Sequence, residues 1–502
     1  MSYEISDFHR ILILIFSLGL IGVSFWVGFV ARKRVTSAQA FYGSTAMFGP
    51  ITIGLSTMSG IVSAFALVGV NGLVYANGNS MGLWMMTACA GPVSFLILAK
   101  KVRAMAEVGE VSSLGDITDL RFDGSRLIKA MMSLILLLGC VAYLASQIKA
   151  GSELLAHLMG WNELISGFII FGILTLYMVF SGEVGGIMTQ TFQGLVMVIA
   201  GFIIIGSFFF VTGGFGPIVE SVSSAGPVTA GGITKEFSPN MMNAWGTSAP
   251  GLIFAWIFIP IVGTVGQPQC IARMYALKDP TDVPKSAFYN CLSHVVVATV
   301  SIVVGFAVMH LVATGKVAPL ARSDQAIFVF ADYCGITTQL FVYAAVLAAA
   351  MSSASMYLSV ASTAVSRDIP ASLGLRMQPE TQLLFSRVIM FIIGVVAIFF
   401  SVSNPQGVAI IGTFGWGTLM TATFPTFIIG LLWRKASRRG VSAALAVALV
   451  LNLLSLTGLK WPGTLPWYVN VIAITLLVTV GGSYLWPDTK KPDEKLELAM
   501  DL

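Results

Sequence analysis

Charge is what this sequence has least of. Lysine, arginine, aspartate and glutamate together make up 10% of 502 residues, whereas soluble domains carry roughly 25%. So little charge cannot clothe a water-facing surface, which excludes an ordinary soluble fold. Histidines number four, and the five cysteines (Cys89, Cys140, Cys270, Cys291 and Cys334) are scattered without metal-ligand spacing. They read as packing residues rather than a zinc or disulfide framework. No phosphate loop, metal motif or deep acid–base pair stands out, so an enzyme is not expected. The net charge of +5 does not point to nucleic acid, because the basic residues cluster in short segments between apolar runs.

What is present is apolar. Hydrophobic residues make up 56% of the chain, the mean hydropathy is +0.87, and 51 glycines fit helices that approach closely in a membrane. Runs long enough to cross a bilayer recur about thirteen times. They fall near 11–31, 47–75, 81–99, 128–157, 162–180, 187–211, 247–269, 286–313, 336–365, 384–402, 406–432, 440–458 and 467–486. The first shows no small-residue cleavage site and is expected to be a span rather than a removable signal. The expectation is an all-α, polytopic membrane protein forming one transmembrane unit over 1–502, most simply in a bacterial inner membrane, with no oligomer required.

Loop charge predicts the orientation. Arg32, Lys33 and Arg34 follow span one; Lys100, Lys101 and Arg103 follow span three; Arg121, Arg126 and Lys129 precede span four. Arg273, Lys278 and Lys285 follow span seven, Arg367 and Arg376 span nine, and Arg434, Lys435, Arg438 and Arg439 span eleven. The opposite loops hold little beyond Lys235, Lys316, Arg322 and Lys460. The positive side is expected to be cytoplasmic, leaving the N-terminus outside and the Lys490–Lys491 tail inside.

Two spans are interrupted. Span two carries Gly54, Ser59, Gly60, Ser63 and Gly69 at mid-membrane depth, and span seven carries Pro260, Gly263, Thr264, Gly266, Gln267 and Pro268. Such residues free backbone groups that hydrocarbon tolerates only where they line a cavity or bind something. Two breaks five spans apart suggest an inverted-repeat transporter with its site between them; kinked helices packed by glycine are the alternative. The repeats would be about 47–211 and 247–432, with extra helices at both ends. On span nine, Ala349, Ser352 and Ser353 offer a carbonyl and two hydroxyls within one turn, a neutral oxygen cluster suited to an alkali cation. Serines in a membrane helix can equally bond back to a carbonyl one turn earlier.

Several stretches in order carry a family likeness: Arg121-Phe-Asp-Gly-Ser-Arg126, Tyr143-Leu-Ala-Ser-Gln147, Tyr177-Met-Val-Phe-Ser-Gly182 with Thr189-Gln190-Thr-Phe-Gln193, Gly266-Gln-Pro268 with Ala272-Arg273, Ala350-Met-Ser-Ser353 with Asp368, and Trp433 to Gly440. Together they resemble the sodium:solute symporter family, the group that includes the bacterial sodium/proline and sodium/pantothenate symporters and the sodium/glucose transporters. The resemblance implies a LeuT-like five-plus-five inverted repeat. It implies a sodium ion held by the carbonyls of Ser59, Val62 and Ala349 and the hydroxyls of Ser352 and Ser353. It also implies a solute pocket lined by Ser63, Ala66, Tyr143, Thr264 and Gln267, with Gln147 on the face of Tyr143. Tyr143 could instead pack between helices, and Gln267 could satisfy backbone freed by Pro268.

The chain departs from its relatives in places. Gln190 stands where many carry an aspartate that some use for a second sodium, and of the extra span-nine serines only Ser355 is present, followed by Met356. Ile61 and Pro260 replace an acidic and an aromatic residue of the proline branch. The expected activity is sodium-driven import of one small polar solute, an amino acid or small monocarboxylate, with one sodium per cycle. A proton-coupled relative, a sensor and a channel are the alternatives. Lys149 could meet a solute carboxylate or pair with Glu153 one turn on.

Overall fold

The computed structural model describes residues 6–32, 46–258, 262–375, 377–404, 407–489 and 493–502. A chain this apolar has one economical way to satisfy its backbone in hydrocarbon, which is to close its hydrogen bonds within helices. The helices run α1 (Asp7–Arg32), α2 (Pro50–Ile61), α3 (Asn71–Asn77), α4 (Thr87–Val108), α5 (Leu114–Arg121), α6 (Arg126–Met159) and α7 (Glu163–Thr212). After a short α8 (Phe215–Ser224) comes a two-stranded hairpin, β1 (Val228–Ala230) antiparallel to β2 (Ile233–Lys235). Then follow α9 (Pro250–Phe258), α10 (Pro268–Ala276), α11 (Val283–Ala313), α12 (Ala326–Cys334) and α13 (Ile336–Thr363). The chain ends with α14 (Ile369–Ser372), α15 (Pro379–Ser403), α16 (Val408–Thr423), α17 (Gly430–Leu432), α18 (Arg438–Leu456), α19 (Trp467–Leu485) and α20 (Glu494–Asp501).

Ten helical stretches among the described residues are long and apolar enough to cross a membrane. Among the described residues the expected segments are helical over much of their length, and spans two and seven are interrupted. Spans five and six are the two halves of α7, divided at Gly182, whose φ of 58° and ψ of −163° leave helical geometry. Lys33, Arg34, Pro260, Arg376, Lys490 and Lys491, and the side chains of Tyr177 to Ser181, lie outside what is described.

The core is built on α6, α7 and α13, with α16 laid along α6. That last crossing is close because Gly415 has no side chain: a Cβ there would sit 2.5 Å from the Tyr143 backbone nitrogen and 2.9 Å from the Gly139 carbonyl. Charges gather at the helix ends. At the start of α6, Asp116 receives Lys129 at 3.2 Å and Arg367 at 2.6 Å, and Asp368 accepts from the Ser113 hydroxyl at 2.8 Å. Burial would raise the Asp116 carboxyl, but Arg367 and Lys129 outweigh it and hold it below the ordinary range. At the far end of α6, Arg322 contacts both Glu153 and Glu163, and His157 meets Asp332 at 2.7 Å.

Two expectations are corrected here. Lys149 does not pair with Glu153; its ammonium donates to the Asn404 carbonyl at 2.8 Å, and Glu153 is taken by Arg322. The 1.5 Å rise per residue puts one turn between Lys149 and Glu153, but packing against other helices gives each a nearer partner. Nor are all cysteines packed inside: Cys140 and Cys270 are buried, whereas Cys89 is exposed.

Candidate ion and substrate site

The break in span two supplies one half of the site. After α2 ends at Ile61, Val62 adopts φ −81° and ψ 98°, with its N–H still held by the Met58 carbonyl at 2.8 Å. The chain resumes as a π-helical segment, Phe65–Val70. Side chains stitch the gap: the Ala64 N–H donates to Gln147 Oε1 at 3.1 Å, and the Phe65 N–H to Ser63 Oγ at 3.2 Å. The carbonyls of the last turn of α2 face α13. Ser352 donates to the Ser59 carbonyl at 2.7 Å and lies 3.1 Å from the Ala349 carbonyl. Ser353 points at the Gly60 carbonyl, 3.4 Å away.

Ser59, Ala349, Ser352 and Ser353 are therefore brought together, and all are fully buried. The Gly60 carbonyl, not foreseen from the sequence, joins them, while Val62 stands at the head of the break. These donors are neutral, hard oxygens. Both hydroxyls can rotate to turn lone pairs toward a cation, so the set fits an alkali ion in the way carbonyl rings fit one in a channel.

Four of the expected solute residues, Ser63, Ala66, Tyr143 and Gln147, gather at the same break. Ser63 Oγ and the Tyr143 hydroxyl are 2.8 Å apart, and Gln147 also donates to Ser146 Oγ at 2.9 Å. Ala66 sits buried in the π segment with its N–H bonded to the Ser63 carbonyl at 2.9 Å. Across the core, span seven turns at Thr264–Gly266. Gly266 has φ 81°, and a Cβ there would press to 3.3 Å from Ile428. Gln267 then caps α10, whose first residue is Pro268, a place where a missing N–H costs nothing. Gln267 does not serve the backbone with its side chain: both amide atoms, like Thr264 Oγ1, are buried without a partner. Leaving such groups unpaired costs about 1–3 kcal/mol each, so a polar partner, ligand or water, would be stabilised there.

Aromatic rings line the same region. Tyr143 lies 4.4 Å from Tyr357 and 5.9 Å from Trp416, centroid to centroid. Trp416 meets Trp84 at 6.4 Å, and Trp84 meets Phe65 at 5.2 Å. Tyr357, Trp416 and Trp84 escaped sequence reading because aromatic residues in a membrane helix carry no local mark of what they face.

Arg273 is a larger correction. Its place beside Lys278 reads as a loop charge, but its side chain is 0% exposed and binds Glu183 at 2.5 Å. It also donates to Gln190 Oε1. Gln190 in turn donates through Nε2 to the Ser352 carbonyl at 3.2 Å and to Ser355 Oγ at 3.0 Å, and its own carbonyl accepts from Ser59 Oγ at 2.9 Å. Arg273 is thus a basic residue more deeply buried than Lys149. Glu183, next to the Gly182 break, is the acidic partner that sequence reading did not single out.

A buried, neutral oxygen cluster at the break of one membrane-spanning helix, with a second broken helix across the core, is the arrangement of an ion-coupled secondary transporter. The sodium:solute symporter family model matches residues 41–448, and the chain belongs to that family. It is 26% identical to the osmoregulated proline transporter OpuE of Bacillus subtilis, over 88% of this chain and 89% of that one. It is 25% identical to the sodium/pantothenate symporter of Escherichia coli, over 91% and 93%. Among solved structures, a Na+-coupled sialic acid symporter superposes with a TM-score of 0.76 at 16% identity, covering 97% of this chain and all of that one. The fold is accordingly LeuT-like, and the chain is an integral membrane transporter that uses sodium, not an enzyme.

Proposed function

We propose that the chain imports a small amino acid or organic acid with one sodium ion per solute, the ion lying between α2 and α13. The observation that carries this reading is the Ser352 hydroxyl, which touches the Ser59 and Ala349 carbonyls at the point where α2 breaks. The ligands would be Ser59, Val62, Ala349, Ser352 and Ser353, with Gly60 as an added carbonyl. None of these groups titrates near neutral pH, which favours sodium over a proton at this site. The solute would lie among Ser63, Ala66, Tyr143, Gln147, Thr264 and Gln267. Its polar groups would satisfy the unpaired atoms of Thr264 and Gln267, and a carboxylate would suit the amino end of α10.

Sodium can favour solute only if it contacts the two conformations differently, and the coupling is then reciprocal. Ligands drawn from two helices meet this need, because motion of α2 against α13 would pull the oxygens apart. Spans within 47–211 and 247–432 would form the two repeats. The end of the bundle holding Asp116, Lys129 and Arg367 would face the cytoplasm, as loop charge requires. A thermal-shift screen of purified protein against amino and organic acids, in sodium and in potassium, tests the reading. Protection by a solute that needs sodium is expected; protection indifferent to the cation would reject it.

A further inference from the structure

Arg273 and Glu183 stand on a polar track that leaves the oxygen cluster. Ser352, Ser355, Ser359 and Thr363 follow one another along α13 at spacings of three and four residues, so they share one face. At 1.5 Å per residue the row is about 16 Å long. It begins at the Ser59 and Ala349 carbonyls. It ends in a crevice lined by Glu183, Ser359, Thr363, Asp368, Ser113 and Tyr275.

Arg273 closes this track midway. It reaches Glu183 with one nitrogen and Gln190 with another. Glu183 accepts from Ser359 at 2.9 Å, and Gln190 grips Ser355 and the Ser352 carbonyl. Three helices, α7, α10 and α13, are thus tied together between the oxygen cluster and the crevice. A guanidinium presents its positive charge in a planar fork, and charges act over far greater distance in this medium than in water.

We propose that the Arg273–Glu183 pair is the barrier a sodium ion crosses between its site and the crevice, with Gln190 tying that barrier to the site. This rests on the sodium assignment made above. While the pair is closed, the guanidinium repels a cation moving along the track, and the carboxylate that could receive the ion is committed to Arg273. Opening requires Arg273 to swing away from both Glu183 and Gln190, which frees the Glu183 carboxylate toward the row of serine hydroxyls. Gln190 then loses the donor at its oxygen, so its hold on the Ser352 carbonyl changes as the barrier opens. Arg273 acts here as a positioning residue, through Glu183 and Gln190.

The test uses the full chain in proteoliposomes. Radiolabelled sodium exchange without added solute is measured for the parent, for the neutral pair Arg273→Gln with Glu183→Gln, and for Arg273→Lys. Lysine keeps the charge but cannot hold two partners in a fork. The neutral pair is expected to exchange sodium about tenfold faster, the size set by roughly 1.4 kcal/mol off a barrier, and Arg273→Lys to fall between it and the parent. A neutral pair that lowers thermal stability but leaves exchange at the parental rate overturns the proposal. Should that variant fail to fold, parental exchange in Arg273→Lys overturns it instead. Ser352→Ala is run in parallel with sodium-dependent thermal protection as the readout. If it leaves the sodium midpoint unmoved, the site assignment fails, whereas parental exchange in the pair variants with a shifted Ser352→Ala midpoint sinks the barrier alone.

Discussion

The Ser352 hydroxyl donates to the Ser59 carbonyl at 2.7 Å although the two residues are 293 positions apart. Replacing that hydroxyl would remove one of the proposed ligand oxygens without rebuilding the helix. Ser352→Ala or Ser353→Ala is expected to raise the sodium concentration for half-maximal uptake or thermal protection about tenfold, the scale of one hydrogen-bonding group at roughly 1–1.5 kcal/mol. Sodium dependence that survives in the double variant would remove these serines from the site.

For Lys149 a structural role is the expectation. Its ammonium is held by the part-buried Asn404 carbonyl, so Lys149→Met should lower stability by about 1–3 kcal/mol, the scale of a hydrogen bond from a charged group. Adding Glu153→Gln should restore nothing, because Glu153 belongs to Arg322. Thermal unfolding of the two variants checks this, and a selective loss of affinity for acidic solutes at unchanged stability would reverse it.

Stoichiometry follows from Gln190. Its side chain is a neutral amide whose oxygen is occupied by Arg273 and whose nitrogen is occupied by α13, so it offers a second ion neither charge nor a free oxygen. Losing an anion from a cation site in this medium costs several kcal/mol, with the size set by the local dielectric. One sodium per solute and a Hill coefficient near one are expected. Reversal potentials in liposomes decide the point, and a ratio of two would refute it.

The hairpin carries a pH dependence of its own. Burial pushes the Lys235 ammonium down to about 8 from 10.5, despite the Ala76 carbonyl at 2.9 Å and the Tyr75 ring at 4.9 Å. The charged form is thus disfavoured in the folded chain relative to the unfolded one. Below pH 8 the folded state bears this cost in full, and it fades as pH rises from about 8 to 10.5. Lys235→Met should flatten that part of the stability profile, measured as the thermal midpoint against pH in detergent. An identical slope in parent and variant would show that Lys235 is not its source.

The membrane class, the helical segments and both interrupted spans were legible in the sequence because each depends on composition or on a few adjacent residues. Hydropathy selects the bilayer, span two breaks just past Gly60 at Val62, and span seven turns at Gly266 before a helix that starts at Pro268. The pairing of Ser59 with Ser352 became legible only through family resemblance, since nothing in either segment names the other. The destinations of Arg273 and Lys149 were decided by tertiary structure alone. Arg273 sits near a helix end beside Lys278, where a basic residue normally meets water, but its nine-residue helix is buried and Glu183 lies 90 positions away. Lys149 has an acidic neighbour one turn on, and it was bypassed for a carbonyl 255 positions away. A buried charge must find compensation wherever packing brings an opposite charge or a carbonyl within reach, and that geometry exists only once the helices have assembled.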